Sequence, residues 1–493
     1  MNRPLKVLKT QKKGYQTGGK HGIIYTLNYV QKRKEGKAVK HWLRKGLAAG
    51  LLVLLTAMTA VGCSARPEII LDPQGLYCLP ALPEQYTELN HQIQEILSAG
   101  AEYAAPTSGT NIQPVQLVDL DGDGLEEAVG FFRNTSDEKP LKIYIFKNYG
   151  GTYQQTAVVE GSGTAIYSIA YQDMDGDGRT ELLVGWRVST DLQMLSVYAL
   201  RSGQPEELLR TNYVKYTVCD LEAADRQALV VLRADEEGTG LADYYSWQQS
   251  RLALRSSARV SMTMAELSQQ GRITRGYLQE QVPALFVTGV TDTAQTITDI
   301  LTIRNGELTN ITLSAATGVS TEVVPYSGLH PTDINNDGVT EAPVAVYLQT
   351  AESGPMLLQR IDWGNYDSHG SRSTVMSTYH DRENGWYLRL PDTWVERIYV
   401  SRTTMPEETS VTFFIRDENV GELRPFMRIW LFTGNNRVIQ AARGERFVLS
   451  TQPEKIYAAE LLEANASWRY GTTQEALKEA FSLIAAEWTV GDN

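Results

Sequence analysis

The sequence predicts a mainly β fold, a β-propeller of five to seven blades followed by a small α+β domain. Three observations carry that prediction. An acidic nine-residue pattern occurs three times, each copy runs directly into a short apolar segment, and the copies are spaced at multiples of one period. The chain has 493 residues, 42% of them apolar, enough for two or three domain-sized cores.

The first 62 residues stand apart. They hold 13 of the 46 Lys and Arg residues but only one acid, Glu35, which leaves 33 basic against 57 acidic residues downstream, a difference of −24. A body of that charge excludes nucleic acid as a partner. Residues 46–62, GLAAGLLVLLTAMTAVG, carry no charge and follow Arg44 and Lys45, the pattern of a basic region leading into an export segment. The length is slightly short for a membrane span of about 20 residues, so cleavage after export is expected. Because the basic residues precede the apolar run, the body should lie on the extracytoplasmic side. The preceding region is unusually long for a leader, and Val30 and Val39 are alternative initiation candidates. Ala60-Val61-Gly62-Cys63 resembles the bacterial lipobox, which implies that Cys63 is lipidated and anchors the mature chain to the cell membrane. Ala60 departs from the commonest residue at its position.

Residues 1–62 are thus read as a leader and 63–104 as a linker with one helix. Within Pro83–Ala99, Tyr86, Leu89, Ile93 and Leu97 recur at helical spacing, so this helix should pack on the next domain, with His91 on its surface. Three cysteines cannot make a disulfide framework or a paired zinc site; Cys78 and Cys219 either pair or stay reduced.

The repeat occupies residues 105–369. Asp119 to Glu127, Asp173 to Glu181 and Asp333 to Glu341 each read Asp-x-[Asp/Asn]-x-Asp-Gly-x-x-Glu, and the apolar runs 128–132, 182–186 and 342–347 follow them as buried strands. The first two copies start 54 residues apart and the third 160 later, so two degenerate copies belong between them, starting at 220 and 276. They precede the apolar runs 229–232 and 285–288. Within one period, strands are expected at 182–188, 195–200, 207–213 and 216–219, and four strands per period of about 50 residues is the count of a propeller blade.

Four carboxylates within nine residues repel one another unless a cation sits among them. The expected ligands are Asp119, Asp121, Asp123 and Glu127; Asp173, Asp175, Asp177 and Glu181; and Asp333, Asn335, Asp337 and Glu341. The glycine at the sixth position allows a sharp turn, and the seventh residue can offer its carbonyl. An EF-hand would need a glutamate at the twelfth position, where Gly130, Val184 and Val344 stand instead. All-oxygen donors on an irregular loop favour Ca2+ over Mg2+, in a structural role.

On these motifs the sequence resembles the FG-GAP and VCBS repeat family, the calcium-bearing propeller blades of integrin α-subunits and many bacterial surface proteins. The resemblance implies an interaction scaffold that binds a protein or glycan outside the membrane. A polysaccharide-acting hydrolase or lyase on a calcium propeller is the alternative. No Gly-x-Ser-x-Gly elbow, P-loop, dinucleotide fingerprint or His-Glu-x-x-His helix is present, so no catalytic residue is assigned. His330, His369 and His380 are expected at the surface, and Trp247, Trp363 and Tyr366 in cores rather than against sugars.

Residues 370–493 change pattern. Strands are expected at 385–391, 398–401, 410–415, 426–432 and 447–450. Thr472 to Glu475 then reads as a capping box before a helix with Leu477, Phe481, Ile484 and Trp488 on one face, docked on an antiparallel sheet as a separate α+β domain.

Overall fold

The computed structural model describes residues 86–484, apart from 202, 223–226, 249–250, 352–357 and 418–420. The export segment, Cys63, Cys78, the alternative starts and Trp488 lie outside the described residues.

Five antiparallel sheets follow one another along the chain as propeller blades. The second is the plainest: Glu181–Arg187, Gln193–Arg201 and Gln204–Tyr213 succeed Ala165–Gln172 in a simple meander. The third repeats it with Lys215–Cys219, Ala228–Ala234, Gly240–Gln248 and Arg251–Arg259. In each blade the acidic loop, or its degenerate counterpart, links the first strand to the second. The second strands are hydrophobic on both faces because neighbouring blades cover both: Leu182, Leu183, Val184 and Trp186 are all 0% exposed. Val184 and Leu182 pack into the core shared with the first blade, while Leu183 packs with Leu229 and Val231 of the third. The two degenerate copies have therefore kept their blades: Ala228–Ala234 and Pro283–Val290 are core strands.

The predicted helix forms at Thr87–Ser98 and seats Leu89 and Ile93 against Phe132, Phe146 and Tyr153 of the first blade. His91 is exposed, as expected. A second helix, Met264–Gln270, joins the third and fourth blades under a Thr263–Glu266 capping box that no sequence expectation covered.

The fifth sheet runs across the expected division between residues 369 and 370. Ala342–Tyr347 pairs with Gln359–Tyr366, which pairs with Arg372–Asp381 and then Trp386–Leu390. Tyr379, Trp386 and Leu388 of this sheet share one core with Val400, Phe413 and Phe426 of the sixth sheet, so apolar burial ties the last blade to the C-terminal sheet. That sixth sheet contains the four expected strands beyond residue 398 and two more, Ile456–Leu461 and the short Gln349–Thr350, which pairs parallel to Tyr399–Val400.

The terminal helix is shorter than expected. It spans Gln474–Ala480, with Thr473 accepting from the Ala476 amide as a simple cap rather than a box. The chain then becomes a strand, Phe481–Leu483, paired antiparallel to Trp386–Leu388. Edge pairing satisfies backbone groups of the fifth sheet while the Phe481 ring stacks on Trp386 at 5.6 Å, and those gains outweigh another helical turn.

A second repeated feature, hidden from sequence, lies on the third strands. Ser196, Asp243, Asp299 and Asp362 occupy equivalent registers opposite Val184, Val231, Val287 and Val344. Asp299 is fully buried and accepts from the Ser261 amide at 2.7 Å, the Ser261 hydroxyl at 2.8 Å and the Asn310 amide at 2.9 Å. Asp243 accepts from Arg233 Nε at 2.5 Å and Ser257 Oγ at 2.6 Å. Replacing Asp299 by Ala should cost about 2–4 kcal/mol, because three buried donors lose their acceptor. The midpoint of urea unfolding measures this, and an unchanged midpoint would show that the carboxylate is not structural.

Candidate metal centres

Each acidic loop is organised by its own carboxylates. The first-position aspartate accepts from two loop amides: Asp119 from Gly122 at 2.8 Å and Gly124 at 2.9 Å, Asp173 from Gly176 at 2.8 Å and Gly178 at 3.0 Å, and Asp333 from Asp337 at 3.1 Å and Gly338 at 2.8 Å. The fifth-position aspartate accepts from the seventh amide, at 2.9 Å in the first loop and 2.8 Å in the others. The sixth position is left-handed in all three, with φ of 85°, 83° and 83° at Gly124, Gly178 and Gly338, which glycine adopts without strain.

The ninth-position glutamate is the buried member. Glu127, Glu181 and Glu341 are 3%, 3% and 0% exposed, and one oxygen of each accepts from the second-position amide at 2.9, 2.9 and 3.1 Å. The other oxygens of Glu127 and Glu341 are buried without a hydrogen-bond partner, as is Oδ1 of Asp121. Burial, and then the loop aspartates, push Glu181 and Glu341 up to about 7; burial also raises Glu127. A buried carboxylate with an unused oxygen among other carboxylates is a ligand set for a hard cation.

The structure gathers three carboxylates of that set in each of the first two loops, while the third has Asn335 in place of the third-position aspartate. Oxygens of Asp119, Asp121 and Glu127 lie within 4.8 Å of one another, and so do those of Asp173, Asp175 and Glu181. That span is about twice a calcium–oxygen distance of about 2.4 Å. In the third loop Asn335 donates its amide to Asp337 Oδ2 at 2.8 Å. The first loop differs in another way: Lys147 Nζ bridges Asp121 and Asp123, at 3.5 Å from the latter. At the register of Lys147 the second blade has Ala199 and the fifth has Asn365, neither cationic.

The loops also join the blades. The second-position carbonyl of one loop accepts from the eighth-position amide of the next: Thr180 donates to Leu120 at 2.9 Å, Gln227 to Met174 at 2.8 Å and Thr340 to Tyr277 at 2.8 Å. The third-to-fourth junction lacks this bond because Pro283, with no N–H, stands at the eighth position. This register places the degenerate copies at 220 and 276, as the spacing predicts. In the fourth blade Gln281 keeps the left-handed sixth position at φ 57° and donates its side-chain amide to Gly338 O at 3.2 Å.

Two histidine expectations are corrected. His380 is not at the surface but stacked on Tyr387 at 5.2 Å with Nε2 2.9 Å from the Thr378 hydroxyl, and burial takes it down to about 3. His330 is half-buried, with no partner for Nδ1. The Tyr387 ring and Thr378 hydroxyl beside His380, and Arg272 and Arg382 near His330, come from distant segments that sequence spacing does not reveal. Trp363 and Tyr366 are fully buried core residues, and Trp247 donates to Met174 O at 3.0 Å. Cys219 is a free, buried thiol, pushed up to about 12. A surface cavity of about 390 Å³ has Asp137 and Glu160 on its wall, but Lys142 Nζ holds both, at 3.1 and 2.5 Å.

Residues 119–184 match the family model of the FG-GAP-like repeat. No curated protein matches the chain. Among solved structures it is similar to the rhamnogalacturonan lyase YesW, at 13% identity and a TM-score of 0.26 over 66% of this chain and 72% of that one. It is also similar to a protein from Lactobacillus plantarum, at 9% identity and a TM-score of 0.23 over 72% of this chain and 93% of that one. Likenesses this slight carry nothing about activity.

The raised glutamates set a pH dependence for the ion-free protein. A carboxylate whose folded value exceeds its ordinary 4.5 takes up a proton on folding, so its contribution is present at low pH and is lost as pH rises. With EDTA present, stability should therefore fall between pH 4.5 and about 7. Denaturant titrations should show a flatter slope for the Glu181→Gln, Glu341→Gln double variant, and an identical slope would contradict the assignment.

Proposed function

We propose that this FG-GAP-like repeat protein is a membrane-anchored extracytoplasmic lipoprotein whose propeller is a binding scaffold stiffened by structural Ca2+. The observation that carries the reading is the recurrence of one loop geometry in three blades, each with a buried glutamate at its foot. Asp119, Asp121, Asp123 and Glu127 would hold the first ion, Asp173, Asp175, Asp177 and Glu181 the second, and Asp333, Asn335, Asp337 and Glu341 the third. Bound calcium would neutralise the acids and brace the junctions between blades.

The anchoring part of the proposal rests on the basic, apolar and Cys63 sequence of the leader, and the charge of the body suits an extracytoplasmic surface. A protein or glycan outside the membrane is the proposed partner. The scaffold reading is preferred to the polysaccharide-acting one because two of the three acids along the cavity wall, Asp137 and Glu160, are already tied to Lys142, and the third, Glu95, lies 3.6 Å from His91.

Palmitate labelling of cells expressing the full chain tests the anchor. The wild-type protein should be labelled and sensitive to protease added to intact cells, whereas Cys63→Ala should be unlabelled. An unlabelled or protease-protected wild-type chain would overturn the proposal.

A further inference from the structure

The sixth sheet has one face on the core it shares with the last blade and a second face finished by a short helix. Trp430, Ala458 and Val448 stand side by side on that second face, across Leu423–Phe432, Ile456–Leu461 and Phe447–Thr451. The helix Arg437–Ala441 packs Ala441 against Trp430, Phe432 and Ala458. With Ala441 turned inward, its neighbours Val438 and Ile439 are 63% and 70% exposed. Together with Met405, at 60%, they are the three most exposed large apolar side chains among the described residues. Met405 pairs with Glu408, and Glu408 with Phe432, the last strand residue before the helix, so the three belong to the same end of the sheet.

The segment that carries the helix is basic. Residues 433–446 hold Arg437, Arg443 and Arg446 against one acid, Glu445, within a body of −24. Arg437 donates to Gly434 O and Pro453 O, both at 2.7 Å. Arg446 donates to Gln440 O at 2.8 Å and lies 4.1 Å over the Trp430 ring. Carbonyls and an aromatic face hold a guanidinium in place without cancelling its charge. The acids around them, Glu407 beside Gly434 and the half-buried Glu408 and Glu460 on the sheet, make no ion pair with these three arginines. Exposed apolar side chains flanked by arginines suit a lipid interface, where the apolar groups enter the acyl boundary and the guanidiniums meet phosphate. Side chains this exposed form a protrusion, whereas a folded protein partner is held by anchors seated in pockets.

We propose that the segment 433–446 is a membrane-contact site that inserts Val438 and Ile439 into an anionic phospholipid surface, with Arg437, Arg443 and Arg446 against the phosphates. The inference rests on the anchored reading above and adds a second point of attachment to it. An anchor at Cys63 restrains the chain at one residue, and this contact sets which face of the C-terminal sheet meets the membrane.

Hydrogen exchange of the full chain reconstituted in vesicles tests it, with phosphatidylcholine containing phosphatidylglycerol in one arm, pure phosphatidylcholine in a second, and soluble polyglutamate in place of the anionic lipid in a third. Amides of residues 435–446 should exchange about fivefold or more slowly on the anionic vesicles alone. Ile439→Asp and Arg443→Gln should each remove that protection, and both alter exposed side chains, so the variants fold. No protection on anionic vesicles, equal protection on both vesicle types, or protection undiminished in Ile439→Asp would overturn the site. Protection by polyglutamate without lipid would overturn it in favour of an acidic protein partner. A chain that takes no palmitate yet shows this protection loses the Cys63 anchor and keeps the contact, and a labelled chain without protection does the reverse.

Discussion

A carboxylate buried at the foot of each acidic loop is the constraint on which the rest depends. Glu127, Glu181 and Glu341 begin or immediately precede a core strand, so they cannot move to water without pulling that strand out of the blade. One oxygen closes the loop on the second-position amide, and the same residue's position fixes the apolar side chain between them: Leu120, Met174 or Ile334, all buried. Loop geometry and core packing are therefore one unit. At Glu127 and Glu341 the second oxygen is buried without a hydrogen-bond partner and so suits a cation.

From that unit the array is built. The second-position carbonyl is held facing the next blade, whose eighth-position amide meets it, so each loop registers its neighbour as well as its own blade. Both faces of central strands such as Glu181–Arg187 and Ala228–Ala234 are then covered, which explains why they read as continuous apolar runs rather than alternating ones. The degenerate third and fourth loops have lost carboxylates yet keep this packing. At the one junction where Pro283 removes the amide, the contact between Arg275 and Val218 O joins the same two blades.

Much of this was legible in the sequence, because the repeat writes itself in residue types. Asp, Gly and Glu at fixed offsets marked the loops, and spacing located even the copy at 276, which has one acid in phase. The parts that were not legible depend on contacts between distant segments. Phe481 reads as the face of a helix, and only the open edge at Trp386–Leu388 makes it a strand. The buried aspartates at 243 and 299 look like ordinary surface acids until Ser257, Ser261 and Asn310 are brought beside them. Lys147 lies 24 residues from Asp123, and no periodicity links it to the loop it bridges.

That lysine distinguishes the first loop from the other two, since it already supplies a positive charge where a cation would sit. Native mass spectrometry of the protein across a calcium titration is the most direct test of the central claim. Three ions per chain are expected, with the first loop filling last and Glu181→Gln removing one ion. A chain that binds no calcium at any concentration, or an ion count unaffected by Glu181→Gln, would contradict it.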